Sequence, residues 1–69
     1  MFEAIITIMY ALNGRAQIEE LKSDEPIAAV SVAECEKKML ARMLPGLQEM
    51  KATPGVTRLS YSIRCTPKN

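Results

Sequence analysis

Apolar residues occupy both alternating faces of the first segment, where β-branched and aromatic side chains are frequent. A strand with two apolar faces is typical of the centre of a sheet, because a strand with one wet face alternates apolar with polar residues. We therefore predict a central strand over residues 2–12. Its first face carries Phe2, Ala4, Ile6, Ile8, Tyr10 and Leu12, and its second face carries Glu3, Ile5, Thr7, Met9 and Ala11.

The segment that follows predicts a β-hairpin. Asn13-Gly14 supplies two residues that tolerate positive φ, which a tight two-residue turn requires. Residues 15–21 are mostly polar, and charge on a strand discourages further pairing, so they are predicted to form an edge strand. A two-residue turn would place Met9 opposite Ile18, whereas a three-residue turn would place Tyr10 there. The sequence leaves both registers open.

A helix is predicted over about Val32–Ala52. Ser31 and Glu34 form the Ser-x-x-Glu pattern of a capping box, and Val30 and Cys35 occupy the two positions of a hydrophobic staple. Both patterns favour a helix that begins directly after Ser31.

The apolar stripe of this helix continues in phase past Pro45, although a proline inside a helix removes a backbone donor and clashes with the preceding turn. We therefore expect a kinked helix or two shorter ones. The stripe comprises Val32, Cys35, Met39, Leu40, Met43, Leu44, Leu47 and Met50.

The last segment, Val56–Cys65, predicts a strand with one buried and one solvated face. Disorder is expected only at Thr66–Asn69. The predicted buried face carries Thr57, Leu59, Tyr61, Ile63 and Cys65, and the solvated face carries Val56, Arg58, Ser60, Ser62 and Arg64.

These elements predict an α+β fold of ββαβ order in one small domain, residues 1–69. A right-handed crossover lets the third strand pair antiparallel with the first, so the strand order is 2-1-3 and the kinked helix covers one face. The helix begins, and the third strand ends, at the same end of the sheet. Cys35 and Cys65 are therefore predicted to be neighbours across the core.

The composition argues against a catalytic or metal-binding role. The chain of 69 residues has no histidine, and its two cysteines are too few for a four-ligand zinc site. It has neither a Cys-x-x-Cys motif nor a histidine base for a nucleophilic cysteine, so we expect no enzyme activity, no metal and no cofactor. A net charge of +1 with few aromatic residues disfavours nucleic-acid binding.

The apolar run Ala4–Leu12 is too short to span a bilayer. It also follows Glu3 rather than the basic residues of a secretory signal, so we expect a cytoplasmic protein without membrane contact. In that compartment Cys35 and Cys65 would be mostly reduced. They are interpreted as a core thiol pair or a structural disulfide.

One helix covers only one face of the predicted sheet, so the other face is a candidate interface. A homodimer with twofold symmetry would bury it most simply. Arginines on this chain would also bind the carboxylates of an acidic protein partner through paired hydrogen bonds. The predicted partner-binding residues are Arg58, Ser60, Ser62, Arg64 and Arg15.

Two short motifs, Ala-Glu-Cys-Glu at 33–36 and Ser-Ile-Arg-Cys at 62–65, accompany the apolar first strand and the hairpin. This pattern resembles small uncharacterised proteins of proteobacteria and their prophages. The resemblance implies an accessory protein of a bacterial or phage-infected cell that binds and inhibits a host protein or defence complex. The alternatives are a small ferredoxin-like dimer that binds a small molecule or acts as a minor enzyme and, ranked last, a nucleic-acid-binding accessory protein.

Overall fold

A computed structural model describes residues 1–68. It contains the strands β1 (Phe2–Leu12), β2 (Arg15–Lys22) and β3 (Val56–Pro67) and one helix, α1 (Val32–Ala52). The strands form an antiparallel sheet in the order β2-β1-β3. Helix α1 packs on β3 and β1. The predicted α+β class, strand order and single covered face are confirmed.

The hairpin has a two-residue turn, which gives one of the two registers that the sequence left open. Asn13 has φ of 51° and Gly14 has φ of 83°, so both residues of the turn lie in the left-handed region. Met9 pairs with Ile18. Because paired residues share a face, this register places Ile18 on the side of the sheet that faces away from α1.

A β-bulge in β3 changes the faces of the strand's first residues. Met9 pairs with Ser60 but Ala11 pairs with Thr57, so β3 carries one extra residue at this point. Arg58 lies in the bulge with φ of 56°, a left-handed conformation that non-glycine residues rarely adopt. Val56 therefore lies on the helix side and Thr57 on the opposite side, so their predicted faces were wrong.

Strand β3 is also longer than predicted. It continues to Pro67, so Thr66 and Pro67 are ordered strand residues rather than part of a disordered tail. The prediction of disorder for Asn69 lies outside the described residues.

Helix α1 begins where the capping box predicts. The Ser31 hydroxyl accepts a hydrogen bond from the backbone N–H of Glu34 at 3.2 Å. The Glu34 carboxylate forms an ion pair with Lys38 at 3.1 Å. The predicted staple was wrong, because Val30 is 90% exposed while Cys35 is fully buried.

The helix is continuous through Pro45 rather than split. Ala41, whose carbonyl loses its helical partner, is exposed together with Pro45, so water can satisfy that carbonyl. Along the predicted stripe, Val32 and Leu44 are exposed, contrary to expectation. The remaining stripe residues pack in or against the core: Cys35, Met39, Leu40, Met43, Leu47 and Met50.

Ile27 is a core residue that the sequence pattern did not single out. It lies in the connection between β2 and α1, where its backbone pairs with Phe2 through hydrogen bonds of 2.7 and 2.9 Å. After the loop at Ser23–Pro26, the chain thus resumes pairing with β1. The Ile27 side chain is fully buried with those of Ile6, Cys35 and Met39.

A disulfide joins Cys35, in the first part of α1, to Cys65, near the end of β3. Their Cα atoms lie 6.3 Å apart, and both residues are buried. The structure thus contains the disulfide rather than the reduced thiols that a cytoplasmic location favours. The bond ties the covering helix to an outer strand at one end of the sheet.

We expect the disulfide to be a major source of stability. The cysteines are 30 residues apart, and closing a loop of that length stabilises a fold by about 3–4 kcal/mol in the chain-entropy model. A reductant should lower the free energy of unfolding of the natural chain by about 3 kcal/mol in urea titrations. It should have no effect on a C35A/C65A double variant. An unfolding midpoint of the natural chain that reductant leaves unchanged would contradict this role.

Candidate functional site

The sheet surface that faces away from α1, here called the open face, is the candidate site. Pairing and alternation assign its members row by row across the three strands. Its β2 residues are Ala16, Ile18, Glu20 and Lys22, its β1 residues are Glu3, Ile5, Thr7, Met9 and Ala11, and its β3 residues are Thr57, Ser60, Ser62, Arg64 and Thr66.

The part of the open face that β1 and β2 form next to the hairpin turn is apolar. Ile18 is 71% exposed and its neighbour Met9 is 40% exposed. Ala11 and Ala16 pair in the next row, and their small side chains leave both larger ones accessible. These four residues form what we call the hairpin patch, and Arg58 lines the shallow hollow beside it.

The opposite end of the open face is charged. The carboxylate of Glu3 lies 2.6 Å from the Lys22 ammonium and 3.8 Å from that of Lys68. The hydrogen bond from Lys22 is the main reason why the pKa of Glu3 lies below its ordinary value, and the charge of Lys68 adds to the effect. Glu3 thus links β1 by charge to β2 and to the residue that follows β3.

Four of the five predicted partner-binding residues lie near one another. Ser60, Ser62 and Arg64 follow β3 along the open face, and Arg58 joins them at the bulge. Arg15 pairs with Leu12 and so belongs to the helix side, away from the other four. Within residues 1–68, none of these arginines forms an ion pair.

Sequence reasoning missed the contribution of β2 to this face. The side on which Ile18, Glu20 and Lys22 lie depends on the hairpin register, and shifting it by one residue reverses every side chain. Asn13-Gly14 was the available signal, since it favours the two-residue turn that the structure contains.

Glu19 and Glu20 lie on opposite faces and so form no carboxylate pair. Glu19 pairs with Ile8 on the helix side, while Glu20 pairs with Thr7 on the open face. Burial, together with the charge of Glu19, raises the pKa of Tyr10. Tyr10 thus belongs with the helix-side packing rather than with the open face.

Comparison with protein-family models, with curated proteins and with solved structures finds no match for this chain. Within residues 1–68, no helix combines the length and the apolar character needed to cross a membrane.

The Glu3 cluster predicts an acid-dependent contribution to stability. The pKa of Glu3 is lowered from 4.5 in the folded chain, so its stabilising effect is complete above about pH 4.5 and is lost as the pH falls through the lowered value. We expect the free energy of unfolding of the natural chain to fall more steeply below that pH than that of E3Q. Urea titrations across this acid range measure both, with E25Q in the exposed loop as the charge-matched control. Parallel pH profiles for the natural chain and E3Q would refute the assignment.

Proposed function

We propose that the protein is a non-catalytic binding module that acts stoichiometrically on a protein partner through its open face. More specifically, the proposal is that this module is an accessory protein of the prophage type that inhibits a host protein or defence complex.

The observation that carries this proposal is the exposure of Ile18 and Met9 side by side on the open face of the sheet. Fully burying a side chain of this size is worth about 1.5–3 kcal/mol. Protein interfaces concentrate their binding energy in a few such desolvated side chains near the centre of the contact. The hairpin patch has the size of such a centre and lies at the hairpin end of the open face.

The surroundings of the patch indicate the chemistry of the partner. Arg58 and Arg64 lie along one side of the face, with Ser60 and Ser62 between them in the chain. Arginine binds carboxylates through two parallel hydrogen bonds, and serine hydroxyls donate or accept as the partner requires. A matching surface presents apolar side chains at its centre and carboxylates at its margin.

The open face also supports self-association, which would be weak. Strands of 11, 8 and 12 residues, spaced by about 4.8 Å with about 3.3 Å per residue, give a face with a projected area of about 500 Å². A stable interface buries about 800 Å² on each partner. A homodimer through this face alone would therefore dissociate readily, and a tight complex with a partner would need contacts beyond the margin of the face.

The test is affinity purification of tagged protein from its native host, followed by mass spectrometry and a binding assay with the captured protein. We expect one stoichiometric partner, and we expect I18E to bind it at least about 30-fold more weakly, the effect of losing a strong interface residue. V30E is the matched control, because it places the same charge on an exposed apolar residue outside the sheet.

R64E should also weaken binding, while V30E should bind as the natural chain does. Undiminished binding by I18E would show that the open face is not the contact surface. A co-purifying metabolite without any protein would instead support the alternative of a small-molecule-binding dimer.

A further inference from the structure

A second surface lies along the outer flank of β3. The second half of α1 and the first half of β3 enclose a groove of about 620 Å³, which we call the edge groove. Its apolar wall consists of Leu44, Leu47, Val56, Leu59 and Tyr61. Leu44 and Tyr61 are both exposed, so the wall is accessible from solvent.

The edge groove continues towards the start of the helix. Tyr61 also lines a second hollow, together with Leu40 and Ile63, on the same flank of the molecule. An apolar channel therefore follows β3 over residues 56–63. Its length suits an extended segment rather than a compact small molecule.

The charges along this channel are mainly positive. Lys51 and Arg58 line the edge groove, and Lys37 lines the second hollow with Glu36 as the only acidic neighbour. Within residues 1–68, none of the three cations forms an ion pair. Carboxylates on an occupant would therefore meet uncompensated positive charge.

The backbone beside the channel is able to pair. Strand β3 is an edge of the sheet, and its central segment, residues 59–63, carries no charge and has side chains that favour strands. Edge strands of this kind present unpaired backbone groups to an incoming strand. Added strands gain affinity from backbone hydrogen bonds and specificity from pockets for alternate side chains.

We propose that the β3 edge accepts an extended, acidic segment of another protein as a fourth strand. Its backbone pairs with residues 59–63, its apolar side chains occupy the edge groove, and its carboxylates face Lys51 and Arg58. The edge groove shares Arg58 with the open face, but Lys51, the helix wall and the β3 edge lie outside that face, so K51E tests this inference separately from the function proposed above.

A second copy of the chain fits this edge poorly. If two β3 strands paired antiparallel around Tyr61, the end of each strand that carries Arg58 would lie beside the end of the other that carries Arg64. Like charges directly opposite each other destabilise a strand pair. The charge pattern thus favours an acidic segment over self-pairing at this position.

The test is an NMR titration of the whole chain with two blocked synthetic peptides, Glu-Thr-Val-Thr-Leu-Thr-Glu, whose glutamates lie on the same strand face as its valine and leucine, and its counterpart with lysine for glutamate. We expect the acidic peptide to shift the amide signals of residues 59–63 and 44–51, and the basic peptide to leave them unchanged. K51E should weaken the acidic peptide about three- to tenfold, in line with reversal of a solvent-exposed charge. R42E is the matched control, because Arg42 lies on the same helix but lines the opposite flank, beside residues 22–25.

Retained binding by R42E, with the loss confined to K51E, supports the proposal. Equal binding of both peptides, shifts centred on the hairpin patch, unchanged binding by K51E, or no shifts at millimolar peptide would each overturn it. A concentration-dependent dimer that protects the β3 amides would show that a second copy occupies the edge, and would overturn it as well.

Discussion

A single helix cannot cover both faces of a sheet, and this constraint determines most of what the molecule presents to solvent. Helix α1 packs its buried side chains over β1 and β3, where Ile6, Ile8 and Met39 meet in the core. Within the described residues it does not reach β2, which accounts for the exposure of Leu21 on the covered side. The open face keeps an apolar patch that this chain cannot bury by itself.

The attachments of the helix are uneven along its length. At its start, the Cys35–Cys65 disulfide joins the helix to β3, and the buried Ile27 belongs to the same core. In the part of the helix beyond Pro45, Leu47 is the only buried residue, and Met50 packs against the core. The gap between this second half and β3 is the edge groove, so the uneven attachment creates the second candidate surface.

Much of the architecture was predictable because it follows from local patterns. The apolar β1, the Ser31 cap and the alternation of β3 each indicate an element, and chain-crossing rules then fix the strand order. The nearness of Cys35 and Cys65 follows from that order alone. These features depend on residue type and spacing rather than on details of packing.

The missed features depend on contacts between distant residues. No residue near Arg58 indicates a left-handed bulge, because the usual signal for one is a glycine at that position. Ile27 is buried because its backbone pairs with Phe2, a contact between segments far apart in the chain. Val30 is exposed, and the buried apolar residue before the helix is Ile27 instead.

The candidate site was also predictable only where it depends on local patterns. The uncovered face and its β3 residues follow from the strand order, whereas Ile18, its most exposed apolar member, required the hairpin register. The edge groove was not foreseen, because it depends on where α1 rests across the sheet rather than on any motif.

The central claim is that one side of this sheet is shielded by the chain and the other is not. Methionine oxidation measures this directly, because Met9 lies exposed on the open face and Met39 is a residue of α1 that is buried in the core. In dilute, monomeric protein treated with hydrogen peroxide, peptide mapping should show that Met9 becomes sulfoxide much faster than Met39. Equal rates at the two methionines, or faster oxidation of Met39, would contradict the account.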